Sequence, residues 1–553
     1  MNENSLRHFI TGKDLSDFIE AQTSVSSDRF ERRDFVEPLI KFCLDGNYTA
    51  RLGIVYGLRS TGKTVGMLQT AESLMKDGYK AAYARFSYEK TGMSVVNAEI
   101  VSLAKEGYTH FFLDEASYLG GFVNESAEWA DLLVPLYRIK MIISGTDSFM
   151  LWTAQTTSLF HRYELFPVNW NSFPEYKRVM KKSYDDYKKD GGIFTDEDMP
   201  AFIQAAVVDN LLHTIEHCME DADRRTLYTD ALYGLNPVAC YKAVISILKC
   251  AAEDAINEHF AEKSGQKNIV ALGVALTGFF PHEKRDIKKR VAESIDLYRN
   301  FTPVKDPLGV IEALVAFLVR IGCLYEYSTA EHEYGDKKSY TFTHNALMSF
   351  AIEETIQGIL KLKEIDRAVF ASSIRQAAEG ALNESIVFAH VFHGANVKGG
   401  DKVFKYQDAD NREIDIAVIN REAKRLRLLE VKSKTKIDIG RVINNEAKYL
   451  FDDKVLKNIG VDNSFTITRA IVYRGKTEFV ARPDAALLLV NIEDLLIHYM
   501  DLWRYLNHIS NQSKILRSRK HPKSVLGRLH ENQERLRRKC VSSESRKSHD
   551  PEL

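Results

Sequence analysis

The stretch that most constrains this chain is Gly57 to Thr64, GLRSTGKT, which fits the pattern G-x-x-x-x-G-K-[ST]. It directly follows the apolar run Leu52 to Tyr56, so it reads as a turn from a strand into a helix. Backbone N–H groups in such a turn can face one anion, and the helix dipole adds to the attraction. The pattern predicts a phosphate-binding loop in an α/β fold; the alternative is an ordinary glycine-containing turn.

Each residue type in this loop has a chemical reason to be there. Lys63 would reach the β- and γ-phosphates of ATP, and the Thr64 hydroxyl would ligate Mg²⁺. The predicted nucleotide-binding residues of the loop are Gly57, Arg59, Ser60, Thr61, Gly62, Lys63 and Thr64. ATP and Mg²⁺ are the expected cofactors.

Length and composition limit the remaining possibilities. A chain of 553 residues suggests about three or four domains. Its six cysteines form no C-x-x-C pair, so neither a disulfide framework nor a zinc site is indicated, and a reducing cytosol is the natural setting. The longest apolar stretch, Ile269 to Phe280, is too short to span a membrane, so we expect a soluble, cytoplasmic protein without a membrane partner.

A second acidic motif follows the loop. Strands and helices alternate after residue 50, which predicts a parallel sheet whose ligands bind at the carboxyl ends of the strands. The strand Phe111 to Leu113 ends in Asp114 and Glu115, the order of a Walker B motif. Asp114 would hold the magnesium ion and Glu115 would polarise the attacking water, with Lys63 as the third catalytic residue. An acidic pair after a strand can also cap a helix.

Several further segments resemble one family. They are GLRSTGKT, FFLDEA, IISGTDS, FHRYELFPVNWNSFPEY and YKKDGGIF, which occur discontinuously from about residue 45 to residue 500. Together they resemble prokaryotic AAA-type, archaeal-ATPase-like P-loop ATPases that carry a C-terminal restriction-endonuclease-like domain. The resemblance implies γ-phosphate sensing by Thr146 and by Arg162, although Ser and Thr also cap helices and Arg162 can equally form a salt bridge. His161 stands where the family usually has glycine.

The same resemblance draws attention to a second constellation. Asp415 precedes Glu430-Val-Lys432 on the next strand, which is the D…E-x-K order of the PD-(D/E)XK nuclease core, and Glu384 lies on the helix before them. Glu384, Asp415 and Glu430 would bind metal, and Lys432 would orient water or offset charge. The alternative is a β-hairpin with alternating charges. Nuclease activity is left open at this stage.

These patterns divide the chain into six predicted parts. They are an N-terminal helical segment (1–45), an AAA+-like P-loop core (46–170), a helical lid or linker domain (171–300), a winged-helix-like domain (301–365), a restriction-endonuclease-like α/β domain (366–507) and a basic, disordered tail (508–553). The tail holds twelve Lys or Arg against three Glu between Lys514 and Lys547, which suits phosphate contacts as well as a solvated spacer.

The expected function is an ATP-hydrolysing switch that acts on DNA through the winged helix, the nuclease-like domain and the tail. Two alternatives remain. One is a non-enzymatic scaffold that binds ATP and recruits a protein partner. The other is a defence effector that cleaves DNA.

Overall fold

The structure is a computed structural model. It describes residues 8–25, 28–46, 48, 51–57, 61–87, 91–145, 159–168, 171–190, 193, 212, 244–245, 247–248, 307–320, 322–330, 338–342, 347–351, 367–398, 400–410, 412–442, 444, 447–481 and 486–497. The predicted basic tail and most of the predicted lid lie outside these residues. No helix in the described ranges is long and apolar enough to cross a membrane.

A six-stranded sheet forms the N-terminal half. The elements are, in chain order, β1 (Ile10–Thr11), α1 (Gly12–Thr23), β2 (Ser24–Val25), β3 (Asp28–Arg29), α2 (Val36–Leu44), β4 (Leu52–Tyr56), α3 (Lys63–Lys76), β5 (Ala81–Arg85), α4 (Met93–Lys105), β6 (His110–Asp114), a 3-10 turn (Ala116–Tyr118), α5 (Phe122–Glu128), a π-helical turn (Trp129–Leu133), α6 (Val134–Tyr137), β7 (Lys140–Gly145) and β8 (Tyr163–Pro167). The strand order is β1-β5-β6-β7-β4-β8. Strands β4 to β8 are parallel and only β1, at one edge, is antiparallel, so the predicted parallel core is confirmed.

Helices cover both faces of this sheet. The strands are apolar on both sides, so each side needs apolar side chains to pack against. Side chains on β6 alternate between the faces, so Phe111 and Leu113 lie in a cluster with α4, whereas Phe112 lies in the cluster with α1, α2 and α3. All five residues of β6 are buried, including its last residue, Asp114. The carboxylate of Asp114 therefore lies in the interior of the domain.

An eight-stranded mixed sheet forms the C-terminal half. The elements are α7 (Phe173–Met180), α8 (Tyr184–Asp190), α9 (Pro307–Arg320), β9 (Leu324–Ala330), β10 (Lys338–Phe342), α10 (Arg367–Lys398), β11 (Lys402–Gln407), β12 (Glu413–Asn420), β13 (Arg425–Val431), α11 (Ile439–Arg441), a 3-10 turn (Lys448–Phe451), α12 (Asp453–Ile459), β14 (Thr466–Tyr473), β15 (Glu478–Ala481) and β16 (Ala486–Asn491). The strand order is β10-β9-β11-β12-β13-β14-β16-β15. The strands β11, β12 and β13 are antiparallel neighbours. Of the predicted nuclease-like residues, Asp415 lies on β12, Glu430 lies on β13 and Lys432 follows β13 directly.

The β9–β10 hairpin extends this C-terminal sheet. The sequence placed a domain boundary after residue 365, which separates the hairpin from β11. In the structure β9 pairs in parallel with β11, with Thr329 opposite Lys405 and Ala330 opposite Tyr406. An unpaired edge of β11 would expose its backbone groups, and β9 covers that edge. The winged-helix interpretation of α9 with this hairpin stays a prediction.

Helices α7 and α8 also pack on the C-terminal sheet, although the sequence assigned them to a lid. Their aromatic side chains share one core cluster with α10 and the central strands: Phe173, Tyr176, Tyr184 and Tyr187. The Tyr184 hydroxyl donates to Asn383 Oδ1 at 2.8 Å, and the Lys188 ammonium lies 3.2 Å from the Glu379 carboxylate. The burial of these large aromatic side chains stabilises the packing of α7 and α8 on the C-terminal sheet. A helical pattern in the sequence does not show which surface a helix covers.

Candidate functional site

The phosphate-binding loop connects β4 to α3, as predicted. Gly57 follows β4 directly, and α3 begins at Lys63. Gly62 has a φ of +78°, a left-handed conformation that glycine adopts at little cost. The Lys63 side chain is 5% exposed, and its ammonium donates to the Gly57 carbonyl oxygen at 2.8 Å. Arg59 and Ser60 lie outside the described residues.

Asp114 is a fully buried carboxylate beside this loop. Its Oδ2 atom accepts hydrogen bonds from the Thr64 hydroxyl at 2.7 Å and from the Tyr83 hydroxyl at 2.8 Å. Its Oδ1 atom accepts a hydrogen bond from the Ser144 hydroxyl. These donors come from α3, β5 and β7, which meet at the carboxyl end of β6. Hydrogen bonds to three hydroxyls fix the orientation of a buried charge that would otherwise be costly.

Tyr83 is a site residue that the sequence did not indicate. Burial, and then the neighbouring Asp114 carboxylate, raise the pKa of Tyr83 far above its ordinary value. Its hydroxyl therefore stays protonated and remains a donor to Asp114 across the physiological pH range. The only sequence signal was a tyrosine among the three alanines of the strand AAYAR.

Glu115 adopts an unusual backbone conformation directly after the strand. Its φ is +57°, in the left-handed region, and its N–H donates to the Ser144 hydroxyl oxygen at 3.3 Å. This conformation costs a residue other than glycine about 1–2 kcal/mol, and such strain tends to occur at functional sites. The turn separates the roles of the two acidic residues, since Asp114 is buried whereas Glu115 is partly exposed.

Of the predicted sensors, only Arg162 lies in the described part of the chain. Its Nε atom donates to the Asp131 carboxylate at 2.5 Å, and both side chains are substantially exposed. Arg162 thus forms a surface ion pair, whereas the alternative from the sequence was a salt bridge under the sheet. His161 has a φ of +63°, which gives a physical reason for the glycine that the resembling family carries there. Thr146 lies outside the described residues.

Thr64 and Asp114 are the residues that can hold a magnesium ion. Mg²⁺ takes oxygen ligands and is commonly bound through one or two protein oxygens together with phosphate oxygens and water. The Thr64 hydroxyl and the Asp114 carboxylate, 2.7 Å apart beside the loop, provide such oxygens. The residues present therefore fit this ion.

The second predicted site lies on β12 and β13. The antiparallel register that pairs Ile416 with Leu429 brings Asp415 beside Glu430. Asp415 Oδ2 accepts the N–H of Val431 at 2.7 Å, and the Lys432 ammonium lies 2.9 Å from the Glu430 carboxylate. The structure therefore brings together Asp415 on β12, Glu430 on β13 and Lys432 directly after β13.

Glu384 has a different partner, which the sequence did not indicate. Its carboxylate lies 2.6 Å from the ammonium of Lys405, a residue of β11 that is 3% exposed. Lys405 also lies 3.6 Å from the Glu413 carboxylate. Among the described residues, no group of three His, Cys, Asp or Glu side chains is arranged to hold a metal ion. Lysines pair with Glu384 and Glu430 in this arrangement, and metal binding by Glu384, Asp415 and Glu430 stays a prediction.

Comparison with known proteins locates one family within the chain. Residues 49–177 match a family model described as an AAA domain. A comparison with curated proteins finds no match. The matched segment includes the loop, Asp114, Glu115, Ser144 and Arg162.

Several solved structures are similar over about half of the chain. Hsp104 from S. cerevisiae, in complex with casein, is 13% identical with a TM-score of 0.25, and the match covers 54% of this chain and 53% of that one. PCH-2 from C. elegans is 14% identical with a TM-score of 0.23, covering 56% and 74%. AMPPCP-bound DnaA from Aquifex aeolicus is 13% identical with a TM-score of 0.25, covering 54% and 92%.

The family match and the geometry of the loop agree. A glycine-rich loop between β4 and α3, a buried lysine at the start of α3 and a fixed carboxylate at the end of β6 are the parts that a P-loop nucleotide site needs. Residues 49–177 therefore combine a match to an AAA domain with the parts of a P-loop nucleotide site, which supports an AAA-type ATPase domain in this segment.

Proposed function

We propose that this chain binds ATP with magnesium at the loop Gly57 to Thr64 and hydrolyses it as a conformational switch. The observation that carries this proposal is the 2.7 Å contact between the Thr64 hydroxyl and Asp114. It joins Thr64, the last residue of the phosphate-binding motif, to a buried carboxylate at the end of β6. An ordinary turn between a strand and a helix does not need such a contact. The strained backbone of Glu115, the residue after Asp114, supports a specific role for Glu115.

The roles of the chain's residues follow from their positions. Lys63 exchanges the Gly57 carbonyl for phosphate oxygens, and Thr64 with Asp114 holds the metal ion. A bound magnesium ion neutralises charge that develops on the transferred phosphoryl group. Glu115 accepts a proton from the attacking water as a general base. We further propose Thr146 and Arg162 as phosphate sensors, for which Arg162 must exchange its contact with Asp131.

Phosphate release from ATP tests this proposal. Glu115→Gln keeps the size of the side chain and removes the base, so kcat should fall on the order of a hundredfold or more while nucleotide still binds. Glu106→Gln is the matched control, because Glu106 is exposed at the end of α4 and should leave kcat unchanged. Hydrolysis by Glu115→Gln at the rate of the unaltered protein would exclude Glu115 as the base.

We also propose that the switch acts on DNA through its C-terminal half. Support comes from Asp415 beside Glu430 with Lys432 at the end of β13, and from the excess of basic residues after Lys514. The winged-helix interpretation of α9 with the β9–β10 hairpin adds a further DNA contact to this proposal. Because Lys405 and Lys432 balance the charges of Glu384 and Glu430, DNA binding is the part of this proposal that the site supports best.

Addition of DNA distinguishes this proposal from a protein-recruiting scaffold and from a DNA-cleaving effector. A DNA-acting switch should hydrolyse ATP faster with duplex DNA present and should shift DNA in a gel at low salt. Unchanged hydrolysis and no gel shift would favour the scaffold. For the effector, Asp415→Ala or Lys432→Ala should abolish DNA cleavage and leave hydrolysis intact, and no cleavage by the unaltered protein would remove that alternative.

A further inference from the structure

Arg33 is a buried arginine that reaches the phosphate-binding loop from the segment between β3 and α2. Its side chain is 5% exposed. The Nε and Nη2 atoms donate to the two carboxylate oxygens of Glu175 at 2.9 and 2.7 Å. The Nη1 atom donates to the backbone carbonyl oxygen of Thr61. One guanidinium therefore joins three segments that are far apart in sequence, and one of them is the phosphate-binding loop.

Glu175 holds this guanidinium in place from the first turn of α7. Its carboxylate also accepts the N–H of Asp34 at 2.8 Å. Its own N–H donates to the Ser172 hydroxyl oxygen, the N-cap of α7, at 3.3 Å. Loss of either partner would leave the other charge buried and uncompensated, which is strongly unfavourable. The two-point ion pair therefore fixes the direction of the third donor, the one that meets Thr61.

Packing around Phe35 anchors the same segment on α3. A Cβ atom at Gly66 would lie 2.2 Å from Cζ of the Phe35 ring, so this ring is in direct contact with the backbone of α3. The Arg33 guanidinium lies 5.5 Å from the centre of the same ring. Since α3 begins at Lys63, the segment that carries Arg33 is fixed to the helix that the loop enters.

The Thr61 carbonyl belongs to the peptide that presents the Gly62 N–H. A trans peptide is planar, and its C=O and N–H groups point in opposite directions. A hydrogen bond that fixes the carbonyl on the Arg33 side therefore fixes the N–H on the opposite side. In a phosphate-binding loop these backbone N–H groups are the donors to the phosphates.

We propose that Arg33, oriented by Glu175, is a positioning residue of the nucleotide site that aligns the Gly62 N–H with the phosphates of ATP and ADP. This rests on the proposed function, because it requires phosphates to bind in the loop. Arg33 lies outside the P-loop pattern and before the segment matched by the AAA family model, so neither assigns it a role. Arg33 raises the affinity for nucleotide by orienting the loop backbone, and it does not contact the nucleotide.

Arg33→Lys tests the proposal while it keeps a positive charge opposite Glu175. One ammonium cannot reproduce the planar fork to Glu175 together with the third bond to Thr61. The dissociation constant for ADP and the KM for ATP should each rise about five- to tenfold, and kcat should change little, because the Gly62 N–H binds ground state and transition state alike. Glu175→Gln keeps the shape but removes the counter-charge of Arg33, so it should raise both constants and also lower the stability. Both variants are therefore compared with the unaltered protein per folded molecule, with the folded fraction measured by circular dichroism.

The neighbouring Arg32 gives a matched control. Arg32 pairs with Glu37 at 2.8 Å at the surface, and Arg32→Lys should leave both constants unchanged. A purely structural role for Arg33 would lower the folded fraction, and with it kcat per total protein, while KM stayed constant; that result overturns the proposal. Unaltered protein that binds no ADP overturns the proposed function and this proposal together. ADP binding that is equal in Arg33→Lys and the unaltered protein overturns this proposal alone.

Discussion

Replacement of Tyr83 by phenylalanine tests the idea that three hydroxyl donors fix Asp114. Tyr83 is completely buried and its hydroxyl donates to Asp114 Oδ2 at 2.8 Å. Phenylalanine fills nearly the same volume, so the change removes a hydrogen bond and creates no large cavity. A hydrogen bond to a charged group contributes about 1.5–3 kcal/mol, and we expect the free energy of unfolding to fall by about that amount.

The same change should also weaken the use of magnesium. When the Thr64 hydroxyl turns toward a metal ion it no longer donates to Asp114, so only Tyr83 and Ser144 then hold the carboxylate. Tyr83→Phe then removes one of these two hydrogen bonds, so the carboxylate is held less firmly. The Mg²⁺ concentration for half-maximal hydrolysis should rise about five- to tenfold, which corresponds to about 1–1.4 kcal/mol.

Phosphate release at saturating ATP over a range of Mg²⁺ concentrations measures this effect, and urea unfolding measures the stability. Tyr79→Phe is the matched control, because Tyr79 lies in the same domain and is 42% exposed. The same Mg²⁺ dependence in Tyr83→Phe and the unaltered protein, with an unchanged free energy of unfolding, would refute the reasoning. A loss of stability without a change in Mg²⁺ dependence would leave Tyr83 with a structural role only.

Two further predictions concern buried charges. Glu384→Gln should lower the free energy of unfolding on the order of 3 kcal/mol in urea without added metal, because the buried Lys405 loses the nearer of its two carboxylate partners, at 2.6 Å, and keeps only Glu413 at 3.6 Å. Stabilisation by this change would instead indicate that Glu384 belongs to a set of mutually repelling carboxylates. Burial lowers the pKa of His110 to about 4. The unfolded chain takes up this proton near pH 6.5 and the folded protein near pH 4, so stability falls as pH decreases through this range. Between pH 7 and pH 5 the unaltered protein should lose about 2 kcal/mol more than His110→Gln, as measured by urea unfolding at both pH values.

The nucleotide site was predictable to the extent that its chemistry is local. The loop Gly57 to Thr64 is one contiguous stretch. The role of Asp114 was predictable because the carboxyl ends of parallel strands lie at one edge of a sheet. The sequence did not indicate that Tyr83 and Arg33 belong to the site. Tyr83 lies in the middle of its strand's sequence, and Arg33 meets Glu175 across 142 positions of the chain.

In the C-terminal half the sequence predicted the order of the acidic residues better than their partners. The D…E-x-K pattern placed Asp415 and Glu430 on neighbouring strands, and the register places them side by side. The pairing of Lys405 with Glu384 joins β11 to α10, and nothing in either segment alone specifies it. Similarly, nothing in the sequence of the β9–β10 hairpin indicated that β9 pairs with β11.

The sequence by itself determined the elements whose signal lies within a few neighbouring residues: the phosphate-binding loop, the apolar strands and the Asp114-Glu115 turn. Backbone conformation and hydrophobic periodicity are local properties, so a local pattern carries them. Only the tertiary structure decided which side chains complete the site, because the free energy of a buried hydrogen bond or ion pair depends on which distant segment supplies the partner. The guanidinium of Arg33 between Thr61 and Glu175 is the clearest case, since its three bonds exist only once three separate segments have packed together.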